Sequence, residues 1–130
     1  MKNAKILIID DDPDIVEAMK VVLQAKDYNV TSAASGEEGL KKVKIDSPDL
    51  VILDIMMEKG DTGFDVAREL KNEPSTKNIP ILMLTAIKEK TGLDFKKEAG
   101  DEIWLPVDDY AEKPIKPAEL ISKVERLISK

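Results

Sequence analysis

Short apolar runs alternate along the chain with longer segments in which apolar residues recur every three or four positions. Apolar runs of four to six residues are typical of strands that are buried on both faces of a parallel sheet. We therefore predict five strands, numbered in chain order: β1 Lys5–Ile9, β2 Asn29–Ala33, β3 Leu50–Leu53, β4 Ile79–Leu84 and β5 Asp109–Glu112.

The amphipathic segments between these runs predict five helices. Pro13 suits a first helical turn, and Ser35 with Glu38 forms a capping-box pattern before the second helix. The predicted helices are α1 Pro13–Lys26, α2 Gly36–Lys44, α3 Phe64–Asn72, α4 Lys88–Ala99 and α5 Pro117–Ile128. The regular alternation predicts an α/β fold, a doubly wound five-stranded parallel sheet with helices on both faces.

The amino-acid composition excludes several classes of site and of reaction. A chain of 130 residues favours one domain, here residues 1–130. The sequence has neither cysteine nor histidine, so disulfides, thiolate or imidazole metal sites and Ser-His-Asp catalysis are excluded. A formal net charge of −6 disfavours direct nucleic-acid binding. The apolar run Ile6–Ile9 is too short for a signal peptide or a membrane span, so we expect a cytoplasmic protein.

Four of the predicted strands are followed by a group that can bind a cation or a phosphate: Asp10 and Asp11 after β1, Asp54 after β3, Thr85 after β4 and Lys113 after β5. Sites in open α/β sheets form beyond the carboxyl ends of the strands. If β1 and β3 are neighbours, their ends lie only about 5 Å apart.

Carboxylates at such a short distance would repel one another. Two of them about 6 Å apart repel by roughly 3 kcal/mol at an effective dielectric near 20. A divalent cation together with Lys113 would balance the charges of Asp10, Asp11 and Asp54. Ligands that are all oxygen favour Mg²⁺, with Mn²⁺ or Ca²⁺ as alternatives. Asp12 is better explained as the N-cap of α1 than as a ligand.

Four segments carry a family resemblance: Ile6–Asp11, Pro48–Asp54, Leu84–Ala86 and Asp109–Pro114. Each is weak alone, but the four occur in order and at suitable spacing. Together they resemble the response regulator receiver domain, the phospho-acceptor module of two-component signalling, over essentially the whole chain. The resemblance implies a flavodoxin-like strand order, 2-1-3-4-5.

The resemblance also implies roles around the acidic cluster. Asp54 would accept a phosphoryl group from a histidine kinase or a phosphotransfer protein. Asp10, Asp11 and Asp54, with the backbone carbonyl of Met56, would hold Mg²⁺, with Mn²⁺ as an alternative. Such a domain is not a conventional enzyme, because it catalyses only its own phosphotransfer and dephosphorylation.

Further roles implied by the resemblance concern the response to phosphorylation. Lys113 and Thr85 would bind the phosphoryl oxygens, and Lys113-Pro114 could be a cis peptide that aims the lysine. Tyr110 would rotate inward behind Thr85 and change the α4-β5-α5 face. The implied partners are the kinase or phosphotransfer protein and a downstream target protein, without nucleic acid or membrane. The chain would be a monomer, or a dimer through that face when phosphorylated.

The sequence departs from the family pattern in two places. Glu58 stands where the family usually has proline, in a slightly long loop after Asp54. Asp101–Val107 interrupts the family's Gly-Ala-Asp-Asp-Tyr run, next to the face that is expected to switch.

Two other function classes compete with the receiver. Asp10-Asp11-Asp12 contains the Asp-x-Asp of haloacid-dehalogenase-type phosphatases, but Lys113 follows the late acidic pair instead of preceding it. A receiver-like scaffold that binds partners without phosphorylation is disfavoured by the intact set of site residues. For a receiver the output could be target binding, a phosphate relay or a role within a larger regulator.

Overall fold

A computed structural model describes residues 4–54, 62–85, 107–113 and 115–129. Its five strands form one parallel sheet in the order β2-β1-β3-β4-β5, which confirms the predicted fold. The strands are β1 Lys5–Ile9, β2 Asn29–Ala33, β3 Leu50–Asp54, β4 Ile81–Thr85 and β5 Asp109–Glu112. The helices are α1 Pro13–Gln24, α2 Gly36–Asp46, α3 Thr62–Asn72 and α5 Pro117–Ile128. The predicted α4, Lys88–Ala99, lies outside the described residues.

Two strands differ from the prediction at their ends. β3 includes Asp54, which pairs with Leu84 although its side chain is polar. β4 begins at Ile81 instead of Ile79, because Ile79 donates its N–H to the Thr76 carbonyl in a turn and Pro80 has no N–H to donate.

Three helix ends also differ from the prediction. α1 stops at Gln24 because the chain tightens there, with Asp27 N–H bonded to the Gln24 carbonyl and Asp27 at φ 67°. α2 continues two residues further, to Asp46, and ends on Ser47 in the left-handed conformation. α3 begins at Thr62, two residues before the predicted start.

Two helix caps come from the side chains that the sequence indicated. Asp12 accepts hydrogen bonds from the N–H groups of Asp14 (3.0 Å) and Ile15 (3.3 Å), so it caps α1. Ser35 Oγ accepts from Glu38 N–H at 3.2 Å. Glu38 Oε1 in turn accepts from Ala34 N–H at 3.0 Å, one residue before the usual partner in a capping box.

The core lies on both faces of the sheet because alternate strand residues point in opposite directions. One side packs against α1 and α5, the other against α2 and α3. On the first side lie Ile6, Ile8, Leu50, Ile52, Leu82 and Leu84, and on the second lie Leu7, Ile9, Val51, Leu53 and Ile81. Each of these side chains is at least 99% buried, which stabilises the fold by about 1.5–3 kcal/mol per side chain.

The strand register brings the carboxyl ends of β1 and β3 together. Ile9 pairs with Leu53, so the residues that follow them, Asp10 and Asp54, lie at the same edge of the sheet. Among the helices within the described ranges, none is long and apolar enough to cross a membrane.

Candidate functional site

Asp10, Asp11 and Asp54 form an acidic cluster at the carboxyl ends of β1 and β3. Each offers a carboxylate oxygen that lies within 4.8 Å of those of the other two. Asp10 and Asp54 are each only 2% exposed, whereas Asp11 is half-buried. The proximity predicted from the sequence is therefore confirmed, and the cluster is mostly shielded from water.

Lys113 reaches this cluster from the end of β5. Its Nζ donates a hydrogen bond to Asp54 Oδ2 at 2.9 Å and lies 3.0 Å from Asp10 Oδ2 as an ion pair. The lysine side chain is 15% exposed. One ammonium group is thus shared between two buried carboxylates.

Burial and charge shift the pKa values of two groups in the cluster. Burial is the main cause that raises the pKa of Asp10, and repulsion from Asp54 adds to it, against the opposing effects of Asp12 N–H and Lys113. Burial alone would lower the pKa of Lys113, but its contacts with Asp54 and Asp10 outweigh burial and raise it. The lysine is therefore held in its charged form, while Asp10 resists ionisation.

The donor set fits a hard divalent cation. It consists of oxygen atoms only, as Mg²⁺ prefers. Asp10 Oδ1 accepts a hydrogen bond from Asp12 N–H at 3.0 Å. Asp10 Oδ2 is buried and accepts no hydrogen bond from any residue in the described ranges, although Lys113 provides an ion pair. A cation bound here would supply the positive charge that one lysine provides only in part.

The structure describes some of the remaining predicted site residues, and others lie outside the described ranges. Thr85 ends β4, beside Leu84, whose partner in the sheet is Asp54. Tyr110 is half-buried in β5 and pairs with Met83. Met56 and Pro114 lie outside the described residues, as does the Asp101–Val107 insertion except for Val107. Asp12 caps α1 instead of joining the cluster, as the sequence predicted.

A second charged group, which the sequence does not mark, lies beside Tyr110. Asp109 accepts from Lys123 Nζ through both carboxylate oxygens, at 3.4 and 3.3 Å, and also bonds Arg126. Lys123 Nζ lies 6.0 Å from the centroid of the Tyr110 ring. No sequence motif marks Lys123, because a lysine on the polar face of an amphipathic helix is ordinary.

The sheet order defines a flavodoxin-like α/β protein, and the acidic cluster with its lysine lies at the carboxyl edge of its sheet. A family model, the response regulator receiver domain, matches residues 6–125. The chain belongs to this family, as its sequence motifs predicted.

Curated relatives agree with this assignment. The alkaline phosphatase synthesis transcriptional regulatory protein PhoP of Bacillus subtilis is 40% identical over 126 residues, which cover 97% of this chain and 49% of that protein. The DNA-binding response regulator MtrA of Mycolicibacterium smegmatis is 36% identical over 120 residues, which cover 92% of this chain and 48% of that protein. The chain spans about half the length of the curated relatives it matches.

Solved structures show the same fold. The chemotaxis response regulator CheY4 of Vibrio cholerae is 29% identical with a TM-score of 0.81, covering 95% of this chain and 98% of that one. The N-terminal domain of a response regulator receiver protein from Methanoculleus marisnigri is 36% identical with a TM-score of 0.72, covering 97% of both. Receiver domains are signalling domains of two-component systems, and they bind Mg²⁺ at an acidic pocket.

Proposed function

We propose that residues 1–130 form one phosphorylation-activated receiver domain in which Asp54 is the phospho-acceptor. One observation carries this proposal: Asp10, Asp54 and Lys113 converge in a single buried cluster at the carboxyl edge of the sheet. A carboxylate oxygen of Asp54 would form a bond to phosphorus while the bond from phosphorus to the donor breaks. Lys113 would neutralise the negative charge of the phosphoryl oxygens during transfer.

The ion that fits best is Mg²⁺, with Mn²⁺ as an alternative, held by Asp10, Asp11, Asp54 and the backbone carbonyl of Met56. Bound there, it would supply charge neutralisation for an incoming phosphoryl group. The oxygen-only donor set and the convergence of three carboxylates on one described lysine support this assignment.

The proposed response to phosphorylation runs through Thr85 and Tyr110. Thr85 would bond a phosphoryl oxygen, and Tyr110 would turn inward and change the α4-β5-α5 face. The placement of Thr85 beside Leu84, the sheet partner of Asp54, supports the first step. The position of Tyr110 in the adjacent edge strand supports the second.

The proposed partners follow from the family. Homologues are response regulators that interact with histidine kinases, so we expect a histidine kinase or a phosphotransfer protein as donor and a protein as downstream target. Direct contact with nucleic acid or membrane is not expected of residues 1–130. The proposed assembly is a monomer, or a dimer through the α4-β5-α5 face on phosphorylation. Location in the cytoplasm stays a prediction from the sequence.

Incubation with acetyl phosphate and Mg²⁺, followed by intact-mass measurement, tests the proposal. We expect one added phosphoryl group in the wild type and in the control Asp65→Asn, which alters an exposed carboxylate on α3. We expect none in Asp54→Asn and none with excess EDTA. An adduct that persists in Asp54→Asn, or labelling at the same rate in EDTA, would contradict the proposal.

The same preparation distinguishes the receiver from a hydrolase. A receiver catalyses only its own phosphotransfer and dephosphorylation, so it does not turn over phosphomonoesters. The capping of α1 by Asp12 favours the receiver, because a dehalogenase-type site would need that carboxylate for catalysis. Steady phosphomonoester turnover that survives Asp54→Asn and is lost in Asp10→Asn would favour the hydrolase.

A further inference from the structure

Asp109 fixes the position of the Lys123 ammonium group. The two side chains form an ion pair at 3.3 Å, and they are only 14% and 21% exposed, respectively. Arg126 bonds the same carboxylate from the next turn of α5, but its own side chain is 60% exposed. A lysine held by a largely buried carboxylate loses much of the freedom that an exposed lysine keeps.

The fixed ammonium group lies against the ring of Tyr110. Because β5 is the edge strand of the sheet, a side chain from α5 can reach both Asp109 and the neighbouring ring. The distance of 6.0 Å from Lys123 Nζ to the ring centroid is at the outer limit of an attractive cation–π contact. Arg126 shares the carboxylate and has no such contact with the ring among the described residues.

Tyr110 also shares a cleft with Lys113, which contacts the acidic cluster. A cleft of about 400 Å³ is lined by Tyr110, Lys113 and Lys123, among other residues of β5 and α5. A change in the position of the ring would therefore alter the wall that Lys113 shares with Lys123.

We propose that Lys123, anchored by Asp109, is a positioning residue that stabilises the ring position of Tyr110 seen here and so opposes switching. The inference rests on the proposed function, since it requires Tyr110 to move on phosphorylation. A ligand shifts an equilibrium between two states only as far as it binds one state more tightly than the other. A contact that stabilises the unswitched state alone therefore raises the concentration of phosphoryl mimic that is needed to reach the switched state. A cation–π contact at a partly exposed site changes such an equilibrium by a factor of about two to five.

The experiment uses the chain labelled with 3-fluorotyrosine, followed by fluorine NMR. The sequence has two tyrosines, so the buried Tyr28 provides an internal reference for Tyr110. Beryllofluoride with Mg²⁺ serves as the phosphoryl mimic, at protein concentrations where sedimentation shows a monomer. The variants are Lys123→Gln, which removes the contact, Lys123→Arg, which keeps a cation, and Arg126→Gln, which removes a bond to Asp109 that does not involve the ring.

The proposal expects three results. Without the mimic, Lys123→Gln moves the Tyr110 signal towards its mimic-bound position. It lowers the beryllofluoride concentration at half-saturation by about two- to fivefold. Lys123→Arg stays close to the wild type, and Arg126→Gln changes neither measurement.

Two other results would overturn the inference. If Lys123→Gln and Arg126→Gln behave alike while the wild-type Tyr110 signal responds to the mimic, the inference fails and the proposed switch survives. If the mimic binds but leaves the wild-type Tyr110 signal unchanged, the proposed switch fails and the inference fails with it.

Discussion

Two aspartate–lysine sites lie at opposite ends of the strands and are built differently. At the amino ends of β4 and β5, Lys71 Nζ is surrounded by oxygen atoms: Asp108 Oδ2 at 2.8 Å and two backbone carbonyls at 3.2 and 3.4 Å. Asp108 Oδ2 also accepts the N–H of Ile81 at 2.8 Å. Here one carboxylate meets one ammonium group, and the adjacent backbone groups complete their hydrogen bonds.

At the carboxyl ends, by contrast, one ammonium group in the described part of the chain lies at a cluster of three carboxylates. Lys113 contacts both Asp10 and Asp54, and Asp11 lies in the same cluster. Burial is the first cause that raises the pKa of Asp10, and repulsion from Asp54 adds to it. Among the described residues, the first site therefore pairs one carboxylate with one ammonium group, whereas the candidate functional site brings three carboxylates to one ammonium group. A divalent cation would stabilise the second arrangement.

The largest expected effect compares the two lysines. Lys113→Gln should slow phosphorylation by acetyl phosphate about 10²- to 10³-fold, because it removes a preorganised donor for the phosphoryl oxygens. Lys71→Gln should leave the rate within about twofold, since its contacts lie at the other end of the sheet. Initial rates from intact-mass measurements at saturating Mg²⁺ give both values. Equal losses in the two variants would remove the functional distinction between the sites.

The next effect concerns stability. Asp108→Ala should lower the free energy of unfolding by about 1–3 kcal/mol, because the N–H of Ile81, a fully buried residue, loses its acceptor. Asp108→Asn is the matched control, since it keeps an oxygen for that N–H and should lose less. Urea unfolding at pH 7 measures both. A loss of the same size in the two variants would mean that the charge, and not the acceptor, matters.

Removing an aspartate charge from the candidate functional site should raise the free energy of unfolding instead of lowering it. Asp10→Asn in EDTA should raise the free energy of unfolding by about 1 kcal/mol at pH 7, since it removes repulsion from Asp54 and sacrifices part of the pairing with Lys113. Added Mg²⁺ should then stabilise the wild type more than the variant. Destabilisation of Asp10→Asn in EDTA would show that the cluster is not electrostatically strained.

The pH dependence of this gain follows from the raised pKa of Asp10. An acid whose pKa is higher in the folded protein destabilises the fold as pH rises above the unfolded value, here 3.8. The advantage of Asp10→Asn should be full above the folded pKa and should shrink as pH falls towards 3.8. An advantage independent of pH would contradict this assignment.

The sequence predicted most of this framework because its signals are strong and local. The apolar runs that form β1 and β3 are buried on both faces, which leaves little freedom in their position. Asp10 and Asp54 follow those runs, so parallel pairing alone brings them together. Strand ends were predicted less well, since Asp54 extends β3 despite its charge and Pro80 delays the start of β4.

Other features could not be predicted because they depend on tertiary placement. Lys123 resembles any solvent-facing lysine of an amphipathic helix, and only the edge position of β5 brings it to Asp109 and Tyr110. Lys71 and Asp108 are 37 positions apart, and no motif connects them. The raised pKa of Asp10 likewise depends on burial and on distances that the chain order does not contain.

The smallest expected effect comes from Glu38, an exposed acid whose pKa shifts in the direction opposite to that of Asp10. The hydrogen bond from Ala34 N–H, with help from Lys42, lowers the pKa of Glu38 from 4.5. The ionised form therefore stabilises the fold above pH 4.5, and this contribution is lost as pH falls through the folded pKa. Glu38→Gln keeps an oxygen for Ala34 N–H but does not titrate.

Urea unfolding between pH 7 and pH 3 should therefore show Glu38→Gln slightly less stable than the wild type at neutral pH, with the difference vanishing in acid. Ser35→Ala is the control: it removes the cap of α2 and should cost about 1 kcal/mol throughout that range, because a hydroxyl does not titrate there. Asp10 and Glu38 can then be compared directly. Asp10→Asn and Glu38→Gln should change stability with opposite signs at pH 7, and both differences should diminish as the carboxylates become protonated. If both variants change the free energy of unfolding with the same sign at pH 7, the hydrogen bond from Asp12 N–H and the pairing with Lys113 outweigh the burial of Asp10. The Asp10 carboxylate would then stabilise the fold, as the exposed Glu38 carboxylate does.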